Sequence, residues 1–371
     1  MQLRVENLAP MGKLKRRMLL TGRRSGGNIS LEDAIGMSEM DILDQIGSTP
    51  LLKLRKVIDN PDVDIYVKCE YLNPSGSIKD RMALRMVEEA EKSGKLKPGG
   101  TIVEQSTGNT GPALAFVGAV KGYKVKLFMP MQLGSSYDAE NRIRIARLFG
   151  CEVEPVDLDA YLEDGEILTD VEKAAAFVAI RMKQCNDLVQ TDPTAWWANQ
   201  LCNMDNALAN RDTTGVEIVE ELGGKVDGWV TSVGSGGTLL GVAETLKEQN
   251  HSVRIFGVVP SDDPRIDWVR SGTIHKFLEQ YGMPKMKFII ESILEKDLLD
   301  QTIIVSDDDA RNMAGRLSRE EGLFCGMSSG ANVYAAVQMA KDMSKGSTIV
   351  TVLVDNRYRY FSEYPNEHYI V

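Results

Sequence analysis

Short apolar runs of strand length alternate with longer segments of helical period over most of this chain. Residues 64–70 read as a strand. Residues 78–93 read as a helix, with Met82, Leu84 and Met86 on its apolar side and a charged end. The same rhythm gives a strand at 101–104, a helix at 110–121, a strand at 124–129, a helix at 138–149, a strand at 152–156 and a helix at 168–182. It resumes with a strand at 228–232, a helix at 237–249, a strand at 253–259, helices at 307–320 and 329–342, and a last strand at 347–354. Parallel strands need a crossover connection, and an intervening helix supplies one, so this alternation predicts parallel sheets covered by helices. Two stretches break the pattern. Residues 190–211, with Trp196, Trp197 and many asparagines, show no clear period and read as the crossing between two domains. Residues 261–300 read as irregular. The expected fold is therefore α/β, with two domains, each an open, mostly parallel sheet flanked by helices. A length of 371 residues suits two such units.

Charge and composition narrow the function. A formal net charge of −10 disfavours nucleic acid and anionic membrane surfaces as partners. No apolar run approaches the roughly 20 residues that span a bilayer. The five cysteines, Cys69, Cys151, Cys185, Cys202 and Cys325, are scattered and odd in number, which suits buried free thiols in a reducing compartment, here the cytoplasm. His251, His275 and His368 share no metal-ligand spacing, so no metal site and no Ser-His-Asp hydrolase is expected. Residues 7–31 contain no acid and carry Lys13, Lys15, Arg16, Arg17, Arg23 and Arg24. They lack the apolar core of a secretory signal and the serine richness of a transit peptide, so residues 1–45 read as an N-terminal arm.

Four polar segments carry candidate chemistry. Lys79 follows Asn73-Pro74-Ser75-Gly76-Ser77-Ile78 at the mouth of a turn and the start of a helix. An amine there is a candidate for Schiff-base chemistry; taken alone, it is as readily a solvated surface lysine. Gly234-Ser235-Gly236-Gly237-Thr238 lies between a strand and a helix, where backbone N–H groups and the helix start favour a phosphate, or where a tight connection is simply needed. Ser106-Thr107-Gly108-Asn109-Thr110-Gly111 offers hydroxyls, an amide and N–H donors suited to a carboxylate, although capping alone explains one of them. Gly326-Met327-Ser328-Ser329-Gly330 is another polar turn before a helix. Turns at the carboxyl ends of parallel strands converge on one crevice, where open α/β sheets bind ligands.

Together these segments resemble the fold-type II pyridoxal-phosphate enzymes, specifically the cysteine synthase and cystathionine β-synthase family. The resemblance runs from about Gly47 to the C-terminus and also draws on Gly47-Ser48-Thr49-Pro50-Leu51, on Gln200 with Asn203 and Asn206, and on Asp212-Thr213-Thr214. It implies a fold like that of tryptophan synthase β. Residues 46–65 and 200–371 would form the larger, cofactor-binding domain, and residues 66–199 a smaller, mobile, substrate-binding one. Pyridoxal 5'-phosphate would be the cofactor. Lys79 would bind it covalently and move protons at Cα. Asn109 would bond its 3′ oxygen, Gly234, Ser235, Gly236, Gly237 and Thr238 would cradle its phosphate, and Ser328 would face its ring nitrogen. Ser106, Thr107, Gly108 and Thr110, with Gln200, would hold the substrate carboxylate.

The activity implied is β-replacement through an aminoacrylate on O-acetylserine, O-phosphoserine or cysteine, with a thiol, sulfide or other small nucleophile, in a homodimer. A β-eliminating cysteine desulfhydrase that releases hydrogen sulfide, a serine/threonine dehydratase, and a catalytically silent binding protein are the alternatives. The chain departs from the family at Ser292-Ile293-Leu294, where a glycine-rich gate is usual, at residues 131–140, and in the tail 355–360, whose Arg357 and Arg359 either meet an anionic substrate group or form a solvated basic tail.

Overall fold

The computed structural model describes residues 41–130, 140–157, 168–260 and 265–363. The basic segment at 7–31 and most of 131–140 lie outside these residues.

The last strand is largely apolar and almost wholly buried. Strand β10 (Thr348–Leu353) is buried at all but its first residue. A strand buried on both faces belongs in the middle of a parallel sheet. β10 pairs in parallel with β2 (Asp64–Cys69) on one side and with β7 (Gly228–Ser232) on the other. Strands β8 (Arg254–Pro260) and β9 (Gln301–Val305) extend that side in parallel, and β1 (Leu51–Lys53) adds an antiparallel edge next to β2, giving the six-stranded order β1-β2-β10-β7-β8-β9.

A second sheet of four parallel strands has the order β5-β4-β3-β6. It comprises β3 (Thr101–Gln105), β4 (Lys124–Pro130), β5 (Glu152–Val156) and β6 (Ala195–Trp197). The α/β architecture read from the alternation is the one found. The expected boundary between residues 65 and 66 falls inside β2, which pairs along its whole length within the larger sheet.

The helices follow the predicted spans with instructive exceptions. Helix α1 (Lys79–Lys92), α2 (Thr110–Lys121) and α3 (Glu140–Leu148) lie where the period placed them. Helix α4 (Asp170–Thr191) runs nine residues beyond the expected end at 182. Its start is fixed by a capping box between Thr169 and Glu172. It packs on both sides: Ala175, Ala176, Ala179 and Met182 join one core cluster, and Ile180 and Cys185 join another. The unperiodic stretch at 190–211 holds β6 and the short helix α5 (Asp205–Ala209), followed by a π turn that leads into α6 (Val216–Leu222).

The stretch at 261–300 is not wholly irregular. It contains α8 (Arg265–Arg270), α9 (Thr273–Gln280) and α10 (Ile289–Glu295), after α7 (Gly237–Gln249). Two of these have six and seven residues, too short for two turns of helical period to show. The chain closes with α11 (Asp307–Arg316) and α12 (Met327–Ala340) before β10. Among the described residues, no helix is long and apolar enough to cross a membrane.

Candidate active site

A cavity of about 470 Å³ opens at the carboxyl ends of β3, β7, β8 and β10, where Gln105, Ser232, Pro260 and Val354 form part of its wall. That volume lies in the range of small-molecule sites. It brings together Lys79, Ser106, Thr107, Gly108, Asn109, Thr110, Gln200, Gly234, Ser235, Thr238 and Ser328, so the separate polar turns of the sequence share one chamber. Gly236 and Gly237 lie just behind the wall, within the turn itself.

Lys79 is the first residue of α1, and the turn before it is tied down on several sides. Gly76 takes φ +89°, a conformation only glycine adopts readily, and its N–H bonds to the carbonyl of Asn73 at 2.7 Å. Ser75 bonds through its N–H and its hydroxyl to the carboxylate of Asp80. The N–H of Ile78 donates to the carbonyl of Val354 at 2.9 Å, and the N–H of Asn356 donates to the carbonyl of Gly76 at 3.1 Å. The lysine turn is thus stitched to the end of β10. Burial holds the amine of Lys79 down at about 8, helped by the nearby Arg265 cation and opposed by Asp355.

Behind Lys79 lies a buried ionic cluster. Arg81 bonds Glu70 through two N–H groups at 2.7 and 2.8 Å, and bonds Glu217 at 2.7 and 2.9 Å. Thr49 donates to Glu70 at 2.6 Å, and Lys68 pairs with Glu217 at 2.9 Å. The Gly47-Ser48-Thr49 turn, the Asn73 turn and α6 meet there: the N–H of Gly47 reaches Asn73, and the N–H of Ser48 reaches Glu217, both at 2.9 Å.

The glycine turn ends on Gly236, at φ +90°, and starts the 13-residue helix α7 at Gly237. A methyl group on Gly237 would lie 2.1 Å from Oδ1 of Asn206. Asn206 in turn donates at 2.8 Å to both the hydroxyl of Ser235 and the carbonyl of Gln200. The glycine loop, Asn206 and Gln200 are therefore a single packed unit. Ile293, from the expected gate at 292–294, does not line the cavity; its Cδ1 lies 3.0 Å from where a Cβ on Gly236 would stand. In this chain the segment backs the glycine turn.

The 106–110 turn is organised from within. The Ser106 hydroxyl accepts from the N–H groups of Gly108 and Gly111 at 3.1 and 3.3 Å and is itself buried. Thr110 donates to the amide oxygen of Gln200, whose nitrogen donates to the carbonyl of Gln105 at 3.0 Å. Ser106 and Gln200 therefore shape the turn, and Thr107 with Gly108 presents its open side. Beneath lies Glu104, fully buried, accepting 2.8 Å bonds from the N–H groups of Gln105 and Gln200. Burial pushes its carboxyl up to about 7, against the pull of those bonds.

Arg357 and Arg359 neither lie in solvent nor line the cavity, the two alternatives their sequence suggested. Asp355, Arg357, Arg359 and Tyr360 are all buried. Asp355 accepts from Asn109 and from the Tyr360 hydroxyl. Arg359 donates to Oδ1 of Asn109 at 3.1 Å and to the carbonyl of Ser75. Arg357 turns away, 5.9 Å from the Phe324 ring, with Nη1 3.3 Å from the Ser318 hydroxyl. The sequence reading missed Asp355, Asn206 and Glu104, and missed the wall residues Arg142, Arg181, Arg265 and Tyr360. Only Asn206 carried a signal, inside the Gln200 motif. The others reach the cavity from remote elements by tertiary packing.

Comparison with known proteins places this arrangement. The sequence model of the family described as "Pyridoxal-phosphate dependent enzyme" matches residues 42–355. A cysteine synthase of Staphylococcus aureus strain Mu50 is 38% identical over 318 residues, 85% of this chain and 94% of its own. The crystal structure of an O-acetylserine-dependent cystathionine beta-synthase from Helicobacter pylori superposes with a TM-score of 0.71 at 29% identity, covering 86% of this chain and 96% of that one. A hydrogen sulfide-producing enzyme from Fusobacterium nucleatum superposes with a TM-score of 0.70 at 32% identity, covering 86% of this chain and 99% of that one.

Proposed function

The chain belongs to the family of pyridoxal-phosphate-dependent enzymes, and from that premise we propose that it replaces the β-substituent of an activated serine or cysteine, as a cysteine synthase does. The observation that carries this reading is the meeting of Lys79, Asn109, Ser328 and the glycine turn around one cavity.

The residues fit the cofactor. The N–H groups of Gly236 and Gly237, with the buried hydroxyls of Ser235 and Thr238, stand at the start of α7, where the helix field favours a dianionic phosphate. Packing requires Gly237, where a Cβ has no room, and φ +90° with Ile293 close by favours glycine at 236. Gly237→Ala displaces Asn206 from Ser235 and Gln200. An overpacking cost of about 1–3 kcal/mol should weaken pyridoxal phosphate binding roughly five- to a hundredfold, read by titrating the cofactor-free protein and following its fluorescence. Unchanged affinity would remove the turn from the phosphate site.

Bound there, pyridoxal phosphate supplies an electron sink for the pair released when the Cα–H bond breaks. The protein supplies the rest. Lys79 holds the cofactor, takes the Cα proton on Nζ and returns it. Asn109, itself fixed by Asp355 and Arg359, would hold the cofactor's 3′ oxygen. Ser328, at the start of α12, would face the ring nitrogen with a hydroxyl in place of a carboxylate, which would favour the neutral form of that nitrogen. Thr107 and Gly108, with Thr110 and Gln200 behind them, receive the substrate carboxylate, and Ser106 holds their turn in shape.

The same reading carries a cytoplasmic homodimer with two domains that close on the substrate, the smaller holding the 106–110 turn and the larger the glycine turn. The five cysteines are all free, which suits a reducing compartment. The sulfide-producing neighbour makes β-elimination the second reading. O-acetylserine, O-phosphoserine, cysteine and serine, each with and without sulfide, separate the two. The expected products from an activated serine with sulfide are cysteine and the released group. Pyruvate and ammonia as the main products even with sulfide in excess would move the protein to the eliminating class.

A further inference from the structure

Four cations line the cavity, Lys79, Arg142, Arg181 and Arg265, and no Asp or Glu is among its described lining residues. The excess stands out in a chain whose formal net charge is −10. The cofactor phosphate, at the glycine turn, and the substrate carboxylate, at the 106–110 turn, account for the negative charge of the reading above. Arg181 belongs to neither turn. It comes from α4, the helix that carries Ala174, Phe177 and Val178 on the same wall.

Arg181 is 3% exposed. Its Nε donates to the carbonyl of Phe177 at 3.1 Å, and its guanidinium carbon stands 4.7 Å from the centre of the Phe177 ring. These contacts hold the fork in one place. Its Nη1 is buried without a hydrogen-bond partner among the described residues, and no described carboxylate forms an ion pair with it. The acidic groups that act on it are Cys185, whose thiol is held by burial well above its ordinary value, and then Glu104, whose oxygens already take two backbone N–H groups and whose carboxyl is pushed by burial up to about 7. Burial lowers Arg181 only to about 10, so it remains a cation, and the like charge of Arg265 acts on it from the same cavity. A buried guanidinium donor without an acceptor costs stability, and an anionic ligand removes that cost.

We propose that Arg181 is a specificity-determining residue that binds a second anionic group, carried on the β-substituent that departs from the amino-acid substrate or on the one that arrives. The proposal rests on the β-replacement reading. A planar fork suits phosphate or carboxylate oxygens, and a phosphate ester of serine places such a group on the departing side. With hydrogen sulfide, the Cβ–O bond breaks with its electron pair leaving on phosphate, and a Cβ–S bond forms with the pair of the sulfur. Lys79 takes and returns the Cα proton, and the second proton of hydrogen sulfide leaves on the phosphate. An anionic thiol would instead bring the charge on the arriving side.

The test compares the wild-type holoenzyme with Arg181→Gln and Arg181→Lys on O-phosphoserine and on O-acetylserine, each with sulfide. In Arg181→Gln, kcat/KM for O-phosphoserine falls roughly 10- to 100-fold further than for O-acetylserine, mainly through KM, as loss of a charge-assisted bond predicts. Arg181→Lys restores part of the difference. An equal fall on both esters, or none, overturns the assignment for the departing group. A selective fall with mercaptoacetate as nucleophile then places the anion on the arriving group, and equal behaviour there as well overturns the proposal entirely.

Binding is read separately. Inorganic phosphate raises the melting temperature of the wild-type holoenzyme and fails to do so for Arg181→Gln; an equal rise in both contradicts the subsite. If wild type turns over neither ester and does not exchange the thiol of cysteine, the β-replacement reading falls, and the phosphate titration still decides Arg181. If O-acetylserine is turned over while phosphate neither binds nor competes, and mercaptoacetate shows no dependence on Arg181, the activity stands and the anion subsite falls.

Discussion

Lys79→Ala protein, loaded with pyridoxal phosphate, should turn over an activated serine about a thousandfold more slowly than wild type, because a positioned proton-transfer group is worth roughly 10²- to 10⁴-fold. It should also lose the visible absorbance of the loaded wild type. The glycine turn at Gly234 to Thr238 is untouched by the change, so the variant should still bind the cofactor, only more weakly. The pH dependence follows from the same amine. An ordinary lysine is neutral only above 10.5, whereas Lys79 is brought down to about 8, first by burial and then by the Arg265 cation. The neutral, proton-accepting form therefore grows in between about pH 7 and 9, and the rate of the proton-transfer step should rise over that window and level off above it. Arg265→Ala removes one of the lowering influences, so the limb should move to higher pH. A limb that stays in place, or a Lys79→Ala protein with wild-type turnover, contradicts the role assigned to this residue.

Arg81→Ala should destabilise the fold by about 3–5 kcal/mol, the usual cost of breaking a buried ion pair from one side. The change leaves Glu70, fully buried, with Thr49 and Asn73 but no cation in contact. Burial would lower the affinity of Arg81 for its proton, but the carboxylates of Glu70 and Glu217 more than reverse this, and Glu217 is correspondingly held down at about 2 by Arg81 and Lys68 against its own burial. The measurement is the urea midpoint of cofactor-loaded protein. A Glu70→Gln change added to Arg81→Ala should recover part of the loss, since it removes the stranded charge, and the shortfall from additivity gives the coupling. The site feels the same change: α1 begins at Lys79, two residues before Arg81, so the variant should also hold pyridoxal phosphate less tightly. A loss under about 1 kcal/mol, the range of exposed pairs, would mean the cluster is solvated and not structural.

Lys79, the glycine turn, the Asn109 turn and Ser328 were legible because each belongs to a short run of unusual residues at a strand-to-helix junction. Such junctions are set by local sequence, and local sequence is what periodicity reads. What was not legible came from distance. Asp355 and Arg359 lie 246 and 250 positions from Asn109, yet bond it, and nothing in the residues 355–360 marks them as interior. The spacing of charges there suggested solvent, and packing of Tyr360 beneath Arg142, 4.6 Å from the ring centre, put them inside. Arg181 falls one residue before the expected end of a helix that in fact continues to Thr191, and its helical face could be assigned only once α4 was seen between two cores. The gate substitution at Ser292 to Leu294 was visible as a departure, but its consequence was not. Ile293 packs under Gly236, a contact between two segments that share no local pattern.

The most direct test of this account is the site of cofactor attachment. Loaded protein is reduced with borohydride, digested and mapped by mass spectrometry. The account predicts that the peptide containing Lys79 carries the mass of the reduced pyridoxal phosphate link and that no other lysine does. A link on any other lysine, or none on the Lys79 peptide of fully loaded protein, would contradict it.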